Sequence, residues 1–324
     1  MVKDKVLAAL EAHRGQAVSG GDLAAELGVS RNAVWKAVGQ LRGEGHAIDG
    51  TPNRGYCLAT ASAVLSRQSI EKYLSVPNLS VEVFPQVTST NTVLREQAEA
   101  GAPEGTVLLA GEQTEGRGRR GRTFYSPPWA GLYISLLLRP SLPAAEALSI
   151  TTCAAVAVAE AIERVAGVPA EIKWVNDVFC RGKKVCGILT EAALDLESGG
   201  LRYAVLGMGL NVLPPPEGFP SELAEVAGSI LLEPTDDGDF RNRLAAEILN
   251  GFLSYYPNLK EKPFFEAYRN RSLILGKPIW ILEPNRRQEA FALNLDRDFQ
   301  LQVRLANGET RTLSAGEVSV RTIL

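Results

Sequence analysis

Residues 19–42, SGGDLAAELGVSRNAVWKAVGQLR, contain two helix starts separated by a tight turn. Ser19 opens a Ser-x-x-acid pattern, which is typical of a helix N-terminus, and Ser30 is a good N-cap for a second helix. That second helix is predicted over Arg31–Arg42 and directly follows the turn Gly28-Val29-Ser30. A short glycine-containing turn between two capped helices predicts a helix-turn-helix motif.

The residues on either side complete this motif. Apolar positions within residues 3–12 fit an amphipathic helix, and short strands are expected at Ala47–Asp49 and Tyr56–Leu58. Turn-forming residues at Gly50–Gly55 join the two strands. Because three helices followed by a hairpin form a winged helix-turn-helix, we expect that domain at residues 1–60.

Polar side chains cover the third predicted helix opposite its apolar stripe of Val34, Val38 and Leu41. Side chains of these types suit base edges and phosphate oxygens. A solvated basic face is the alternative, but the order of turn, capped helix and wing favours DNA binding. Such modules usually bind as dimers, because one module contacts few base pairs. The predicted DNA-binding residues are Ser30, Arg31, Asn32, Trp35, Lys36, Gln40 and Arg54.

The composition is that of a multidomain globular protein. The chain has 324 residues, 45% of them hydrophobic, and a formal net charge of -3, so DNA binding requires a local patch. Neither a signal peptide nor an uncharged run of membrane-spanning length is recognised, and we expect a cytoplasmic protein. Four cysteines without a Cys-x-x-Cys pair, and two histidines, predict neither a disulfide framework nor a resident metal site.

The rest of the chain predicts a multidomain α/β (α+β) architecture. Residues 61–68 are expected to form a linker, and 69–272 alternate strands and helices as in a mixed α/β domain. Residues 273–324 contain an Asn307-Gly308 hairpin signal and short β segments, which predict a small SH3-like β-barrel. These segments are expected at 278–282, 288–294, 300–305 and 309–313. The central strands are expected at 81–84, 106–110, 132–138, 187–189 and 204–207, and the helices at 87–100, 144–166 and 240–255.

The run Gly116-Arg117-Gly118-Arg119-Arg120-Gly121-Arg122 places four arginines among three glycines. Glycines allow a backbone to approach a ligand closely, and guanidinium groups match carboxylate and phosphate oxygens. A nuclear-localisation signal and an RGG-type RNA-binding segment are alternatives. Because the run lies between two predicted strands of a globular domain, it is predicted to be an active-site loop.

Three further motifs place polar or glycine residues at the ends of predicted elements. Lys173-Trp174-Val175-Asn176-Asp177 lies at a sheet edge, where α/β folds bind ligands, although an Asx-capped turn has the same pattern. A second motif is Gly207-Met208-Gly209-Leu210-Asn211, whose glycines leave one face of a strand without side chains, so that a flat ligand can lie on it. A third is Ser89-Thr90-Asn91 at the start of a predicted helix, where free backbone N–H groups can bind a ligand. Both histidines lie in the N-terminal domain, so a Ser/His/Asp triad is unavailable, and stabilisation of an activated phosphate is indicated.

Together with Lys184-x-x-Gly187-Ile188-Leu189, these motifs resemble, in order and spacing, the bifunctional biotin protein ligase / biotin operon repressor family. The resemblance covers nearly the whole chain and implies a central mixed-sheet biotin/lipoate-ligase-like catalytic domain. It implies that biotin and ATP, with Mg2+, give biotinyl-5′-adenylate, and that the biotinyl group passes to a lysine of a carboxyl-carrier protein. Biotin would also be a co-repressor, and operator DNA and a second copy of the chain would be partners.

The resemblance also implies roles for individual residues. Lys184 and Arg119 would be catalytic: Lys184 holds the carboxylate and later the phosphate, while Arg119 braces the adenylate under an ordered arginine loop. The implied biotin-binding residues are Ser89, Thr90, Asn91, Gln113, Gly116, Arg117, Gly118, Arg119, Lys184, Gly187, Gly207 and Gly209. The implied ATP- and adenylate-binding residues are Arg119, Arg120, Arg122, Phe124, Lys173, Asn176, Asp177 and Asn211.

The sequence departs from the family pattern at three places. Phe124 stands where tryptophan is familiar, Val175 where proline is common, and Asn294-Leu295-Asp296 lacks an expected glycine. Three alternatives remain: a ligand-sensing regulator without catalysis, a ligase for a related acid such as lipoate, and a ligase with a vestigial winged helix. The arginine loop and Lys184 argue against the first, and no residue distinguishes a ureido ring from a dithiolane on physical grounds.

Overall fold

The computed structural model describes residues 1–51, 54–195, 197, 199–283, 286–314 and 319–322. Its N-terminal part contains helices and a small sheet in the predicted order. Two predicted caps are confirmed, because Ser19 Oγ accepts from the backbone N–H groups of Gly21 and Asp22, and Ser30 Oγ from that of Ala33. The elements are α1 (Val2–Ala12), β1 (Ala17–Val18), α2 (Gly20–Leu27), α3 (Arg31–Gly43), β2 (Ile48–Thr51) and β3 (Gly55–Leu58).

This N-terminal part has an apolar core of its own. The predicted stripe of α3 is fully buried and packs with Leu10 of α1 and Leu23 of α2. The two predicted wing strands are present, and β1, which the sequence analysis missed, pairs antiparallel with β3. Pro52 and Asn53 of the predicted wing turn lie outside the described residues, whereas Arg54 is exposed.

A seven-stranded mixed sheet forms the centre of the molecule, in the order β4-β5-β6-β10-β9-β8-β7. Strands β4 and β5 are parallel, and the remaining neighbours are antiparallel. The elements of this part are α4 (Arg67–Glu71), β4 (Ser80–Phe84), α5 (Thr90–Glu99), β5 (Thr106–Ala110), β6 (Gly131–Leu138), α6 (Leu148–Ala166), β7 (Glu171–Lys173), β8 (Asp177–Cys180), β9 (Lys183–Leu194), β10 (Leu201–Asn211), α7 (Ser221–Ala224), α8 (Phe240–Tyr255) and α9 (Phe265–Asn270).

Helices cover both faces of this sheet. Leu136 and Leu206 point into the large core that also contains α6 and α8, while their neighbours Leu137 and Val205 pack with α5 on the opposite face. The segment Ala144–Ala166 is long and apolar enough to cross a membrane, but 72% of its most apolar window is buried inside the protein. It therefore has the burial of a core helix.

The C-terminal part is a five-stranded antiparallel sheet in the order β14-β13-β12-β11-β15. It packs on the central part through Phe299, whose ring stacks on Phe264 with centroids 5.7 Å apart. The indole Nε1 of Trp174 donates to the Phe299 carbonyl oxygen at 2.8 Å. The two parts consequently share one core. The strands are β11 (Pro278–Glu283), β12 (Arg286–Leu295), β13 (Leu301–Leu305), β14 (Thr310–Leu313) and β15 (Ser319–Thr322).

Buried ion pairs fix the N-terminal domain to the central part. Glu11 of α1 and Asp239 at the start of α8 share two cations: Lys72 Nζ lies 3.0 and 2.6 Å from their carboxylates, and Arg14 lies 2.7 and 3.3 Å from them. Burial raises the pKa of Asp239, but hydrogen bonds from Lys72 and neighbouring hydroxyls outweigh it and hold the pKa below the ordinary 3.8. The predicted linker at residues 61–68 is therefore held close to α8, where it also accepts one hydrogen bond from Arg241 and one from Asn242.

Replacing Asp239 with asparagine is expected to lower the free energy of unfolding by about 1–3 kcal/mol at pH 7, because Lys72 and Arg14 lose a buried anion. A carboxyl with a depressed folded-state pKa stabilises the fold above its unfolded pKa and loses that contribution as the pH falls. The difference between wild type and D239N should therefore shrink below about pH 4. Chemical denaturation at several pH values measures it. E266Q, at an exposed ion pair with Arg269, is the control, and an equal effect there would contradict the assignment.

Candidate active site

A small cleft, partly open to solvent, lies over strands β9 and β10. Its walls come from five separate parts of the chain: the start of α5, the segment after β5, the arginine loop and the two strands. Eight of the residues that the sequence predicted for biotin line it. The lining residues are Ser89, Thr90, Asn91, Gln113, Arg117, Phe124, Gly187, Leu189, Gly207, Met208 and Gly209.

Hydrogen bonds fix the polar wall at the start of α5. The backbone N–H and the hydroxyl of Thr90 both donate to Gln113 Oε1, at 2.8 and 3.0 Å. Gln113 Nε2 donates in turn to Ser126 Oγ at 3.0 Å. The Ser135 hydroxyl contacts Thr90 Oγ1 at 2.8 Å and Asn91 Oδ1 at 2.6 Å. The expectation that helix N–H groups are left for a ligand is therefore wrong for Thr90.

Ser126 and Ser135 belong to this wall, and sequence reasoning missed both. Ser135 is the one serine in the largely apolar strand β6, and its side chain is fully buried. A buried polar side chain in an apolar strand usually has a specific partner, and this pattern could have marked Ser135.

Glycines form the floor of the cleft because a side chain does not fit there. A β-carbon at Gly207 would lie 2.1 Å from Asn91 Oδ1, and one at Gly209 would lie 2.7 Å from the Phe124 ring. Gly209 pairs across the sheet with Gly187, so the two strands present bare backbone side by side. At Gly116, a β-carbon would lie 2.2 Å from the Phe124 carbonyl oxygen. The predicted glycine-lined strand face is thus present.

Phe124 lies on this floor. Its ring is 3.2 Å from the position of a β-carbon at Gly187 and closer still to that at Gly209. Backbone contacts join the two ends of the arginine loop. Phe124 N–H donates to the Gly116 carbonyl oxygen at 2.9 Å, and Arg117 forms a bridge with Thr123. The arginine loop therefore starts and ends at the cleft.

A chain of polar side chains extends from the cleft along β8 and β9. Lys184 Nζ lies 2.7 Å from Asp177 Oδ1, and Asn176 Nδ2 donates to the same oxygen at 3.1 Å. Arg119 Nη1 donates to Asn176 Oδ1 at 2.9 Å. Lys184 also borders the floor, since its Cε lies 3.3 Å from the position of a β-carbon at Gly187. The two predicted catalytic residues are thus joined through two predicted nucleotide residues.

The remaining predicted nucleotide residues lie around this chain. Burial lowers the pKa of the Arg119 guanidinium, and the neighbouring Arg120 lowers it further. Lys173 lies at the end of β7, with its Nζ 5.6 Å from the Phe179 ring centroid. Arg120 and Arg122 are exposed. Asn211 is buried at the end of β10, and Gly118 follows Arg117 inside the loop, where its N–H donates to the Arg122 carbonyl oxygen.

The predicted DNA-binding side chains share the outer face of α3. The Trp35 side chain is 64% exposed, and Ser30, Asn32, Lys36 and Gln40 are also exposed. Arg31 lies against the start of α2, with Nη2 2.7 Å from the position of a β-carbon at Gly21. The helix therefore presents cations, an amide and an indole together, with exposed Arg54 on the hairpin.

Comparisons with known proteins agree with both parts. The model of the Biotin/lipoate A/B protein ligase family matches residues 83–211, and that of an HTH domain matches residues 3–57. The Biotin--[acetyl-CoA-carboxylase] ligase of Mycobacterium tuberculosis is 32% identical over 248 residues, which are 74% of this chain and 88% of that protein. A structure of the biotin protein ligase from Aquifex aeolicus, in complex with biotin and ATP, superposes with a TM-score of 0.60 at 25% identity and covers 75% of this chain and 99% of that one.

The chain belongs to the biotin protein ligase family. Bifunctional ligase/repressor BirA of Bacillus subtilis is 38% identical over 215 residues, 66% of either chain, so the alignment spans about two thirds of that relative. The protein of the same name from Escherichia coli is 28% identical over 311 residues, 95% of this chain and 94% of its own length. The chain thus combines a catalytic-domain match to this family with an HTH domain at residues 3–57, and the interpretation as a regulator without catalysis is not favoured.

Proposed function

We propose that the cleft binds biotin. We also propose that the linked polar side chains from Lys184 to Arg119 promote the reaction of the biotin carboxylate with ATP. A biotin carboxylate at the end of the glycine floor would replace Asp177 as the partner of Lys184. The carboxylate oxygen attacks the α-phosphorus of ATP, pyrophosphate leaves, and biotinyl-5′-adenylate forms. The observation that carries this proposal is the Lys184 ammonium, which borders the cleft floor while lying 2.7 Å from the Asp177 carboxylate.

The residues outside the cleft suit the nucleotide. Arg119, Arg120, Arg122 and Lys173 supply fixed positive charge for phosphate oxygens, which stabilises negative charge on the α-phosphate in the transition state. Asn176, Asp177 and Asn211 supply oxygen ligands of the kind that Mg2+ prefers, and the phosphates of ATP would carry the ion. Phe124 can stack on the adenine when the ring leaves the glycine floor. When bound, Mg2+ would offset the charge of the phosphates.

The second step passes the biotinyl group to a carrier protein. A lysine amine of the carrier attacks the acyl carbon of the adenylate, AMP leaves with the bonding electron pair, and an amide remains. The arginine loop, with Gly116, Arg117 and Gly118 at its base, would order over the intermediate and shield it from water. The hydrogen-bonded base of the arginine loop and the bare glycine floor support a site that holds a reactive acyl phosphate.

Transfer can be tested with a biotin-acceptor carrier domain, biotin and MgATP. We expect a mass gain of one biotinyl group on the carrier and none on a carrier whose acceptor lysine is replaced by arginine. Folded ligase that binds biotin but releases no pyrophosphate and labels no carrier would overturn the proposal and restore the ligand-sensing regulator.

The exposed face of α3 supports binding of operator DNA, with biotin as co-repressor. One such module contacts few base pairs, so we propose that two copies of the chain bind one operator. The buried ion pairs at Asp239 hold the DNA-binding domain against the catalytic part, which supports communication between the two. The HTH domain match at residues 3–57 and the ligase/repressor names of two relatives support this assignment.

Replacing Lys36 with alanine is expected to weaken operator binding about tenfold and to reduce the slope of log K against log salt by about one, because one phosphate contact is lost. Fluorescence anisotropy over a salt series measures both quantities. Lys5→Ala, an exposed lysine on α1, is the control and should leave the slope unchanged. Equal slopes for wild type and K36A would contradict a DNA-facing α3.

Three organisational expectations belong to the same proposal. The domain limits at 1–60, 69–272 and 273–324 are supported by the separate N-terminal core and by the distinct C-terminal sheet. We propose that this C-terminal sheet curls as a small SH3-like barrel. A cytoplasmic location is supported by the four cysteines, all of which are free thiols.

A further inference from the structure

Glu191 lies on β9 at a position that none of the predicted site motifs included. Alternation along the strand places it on the same face as Gly187 and Leu189, which line the cleft. Its carboxylate is shared by two parts of the site: Asn91 Nδ2 donates to Oε2 at 3.0 Å, and Arg117 Nη1 lies 3.1 Å from Oε1. We propose that Glu191 is a positioning residue of the ligase, which clamps the base of the arginine loop to the cleft floor. The inference rests on the proposed function.

On the floor, Glu191 sets the orientation of a buried amide. An ionised carboxylate only accepts hydrogen bonds, so the amide nitrogen of Asn91 must face it. The same nitrogen donates to the Leu189 carbonyl oxygen at 3.2 Å, and Asn91 Oδ1 accepts from Ser135 at 2.6 Å. With both ends of the amide occupied, its oxygen lies over Gly207 in one fixed orientation. A neutral amide at position 191 would remove this constraint, because it can donate as well as accept.

Glu191 also holds Arg117, the residue at which the two ends of the arginine loop meet. Arg117 forms a bridge with Thr123, so an anchor at Arg117 fixes the two ends of the loop together. The Arg117 side chain is 41% exposed and that of Glu191 22%, which keeps the ion pair weak while water has access. A bound intermediate that excludes water would strengthen the pair. The contribution of Glu191 should therefore be largest in the complex with the adenylate.

The test uses the full chain and follows the lifetime of biotinyl-5′-adenylate on the protein after free biotin and ATP are removed. We expect E191Q to release or hydrolyse the intermediate about tenfold faster than wild type, in line with loss of a charge-assisted hydrogen bond. The KM for biotin should rise while kcat of adenylation changes little. E99Q is the matched control, since Glu99 also bonds an arginine and a second side chain, Arg202 and Tyr203, at the far end of α5.

R117Q breaks the Glu191–Arg117 pair from its exposed side and leaves the buried Asn91 amide unchanged. It therefore keeps the inference testable even if E191Q misfolds. If Glu191 acts through Arg117, R117Q must also shorten the lifetime, and the double variant must lose less than the product of the single losses. An unchanged lifetime in E191Q, or fully multiplicative losses in the double variant, would overturn the inference. If wild type itself forms no adenylate, the proposed function fails instead, and the two failures are thus distinguishable.

Discussion

Replacing Lys184 with alanine is expected to slow biotin-dependent pyrophosphate release by about a hundredfold to a thousandfold. The reason is electrostatic: its ammonium is the cation that joins the cleft floor to Asp177, and negative charge develops on the attacking carboxylate and the α-phosphate. Asp177 would also lose its ion pair and repel both groups. Quenched time-course assays of pyrophosphate release at saturating ATP measure this rate.

The neighbouring lysine provides a matched control for this substitution. Lys183 carries the same charge one residue earlier on β9, but its Nζ donates to the carbonyl oxygens of Ala224 and Glu225, at 3.0 and 2.7 Å. K183A should therefore keep most of the wild-type rate. Equal rates for K183A and K184A would show that general positive charge on this strand, and not the ammonium beside Asp177, drives the reaction.

Replacing Gly207 with alanine is expected to raise the Kd for biotin by about a hundredfold. The new β-carbon would lie 2.1 Å from Asn91 Oδ1, so the amide must move and give up its hydrogen bonds to Ser135 and Glu191. Isothermal titration calorimetry with biotin measures the Kd. Gly39→Ala is the control. Gly39 lies in a helix with no atom within 4 Å of the new methyl group, so this substitution should leave the Kd for biotin unchanged.

An unchanged Kd in G207A would mean that the floor of β10 does not contact biotin, and it would move the ligand away from the predicted glycines. A higher Kd in G207A with an intact thermal unfolding transition is the result that supports the cleft. Both variants replace one hydrogen by a methyl group, so their comparison separates steric exclusion from a general response to added side-chain bulk.

Local chemistry made the N-terminal domain predictable. Ser19 and Ser30 cap the helices that their spacing predicted, and the α3 stripe is buried as its periodicity required. The α5 helix, in contrast, begins at Thr90 and not at Val87, because Val87 forms an isolated bridge with Gln113. Such a bridge depends on a residue far along the chain, which no local pattern contains.

Short strands were the main omission in the fold. The two-residue β1 and the four-residue β8 are too short to show a period, and they exist because longer strands pair with them. In the C-terminal sheet the predicted strands at 278–282, 288–294, 300–305 and 309–313 correspond to β11 to β14. The last strand, β15, was not predicted and pairs with β11 across the sheet.

The site was predictable as a set of residue types but not as a network. Glycines and arginines are visible in the sequence because they recur at close spacing. The pairing of Lys184 with Asp177, and of Glu191 with Asn91 and Arg117, joins residues that only the folded sheet brings together. Likewise, the position of the Phe124 ring on the glycine floor depends on packing.

Direct detection of the intermediate tests the central claim, that this cleft activates biotin with ATP. The purified chain would be incubated with MgATP and biotin, or with MgATP and lipoate, and the quenched reactions analysed by mass spectrometry. We expect biotinyl-5′-adenylate in amounts close to those of the protein, little lipoyl adenylate, and neither adenylate with K184A. Preferential formation of lipoyl adenylate, or consumption of ATP without any acyl adenylate, would contradict it.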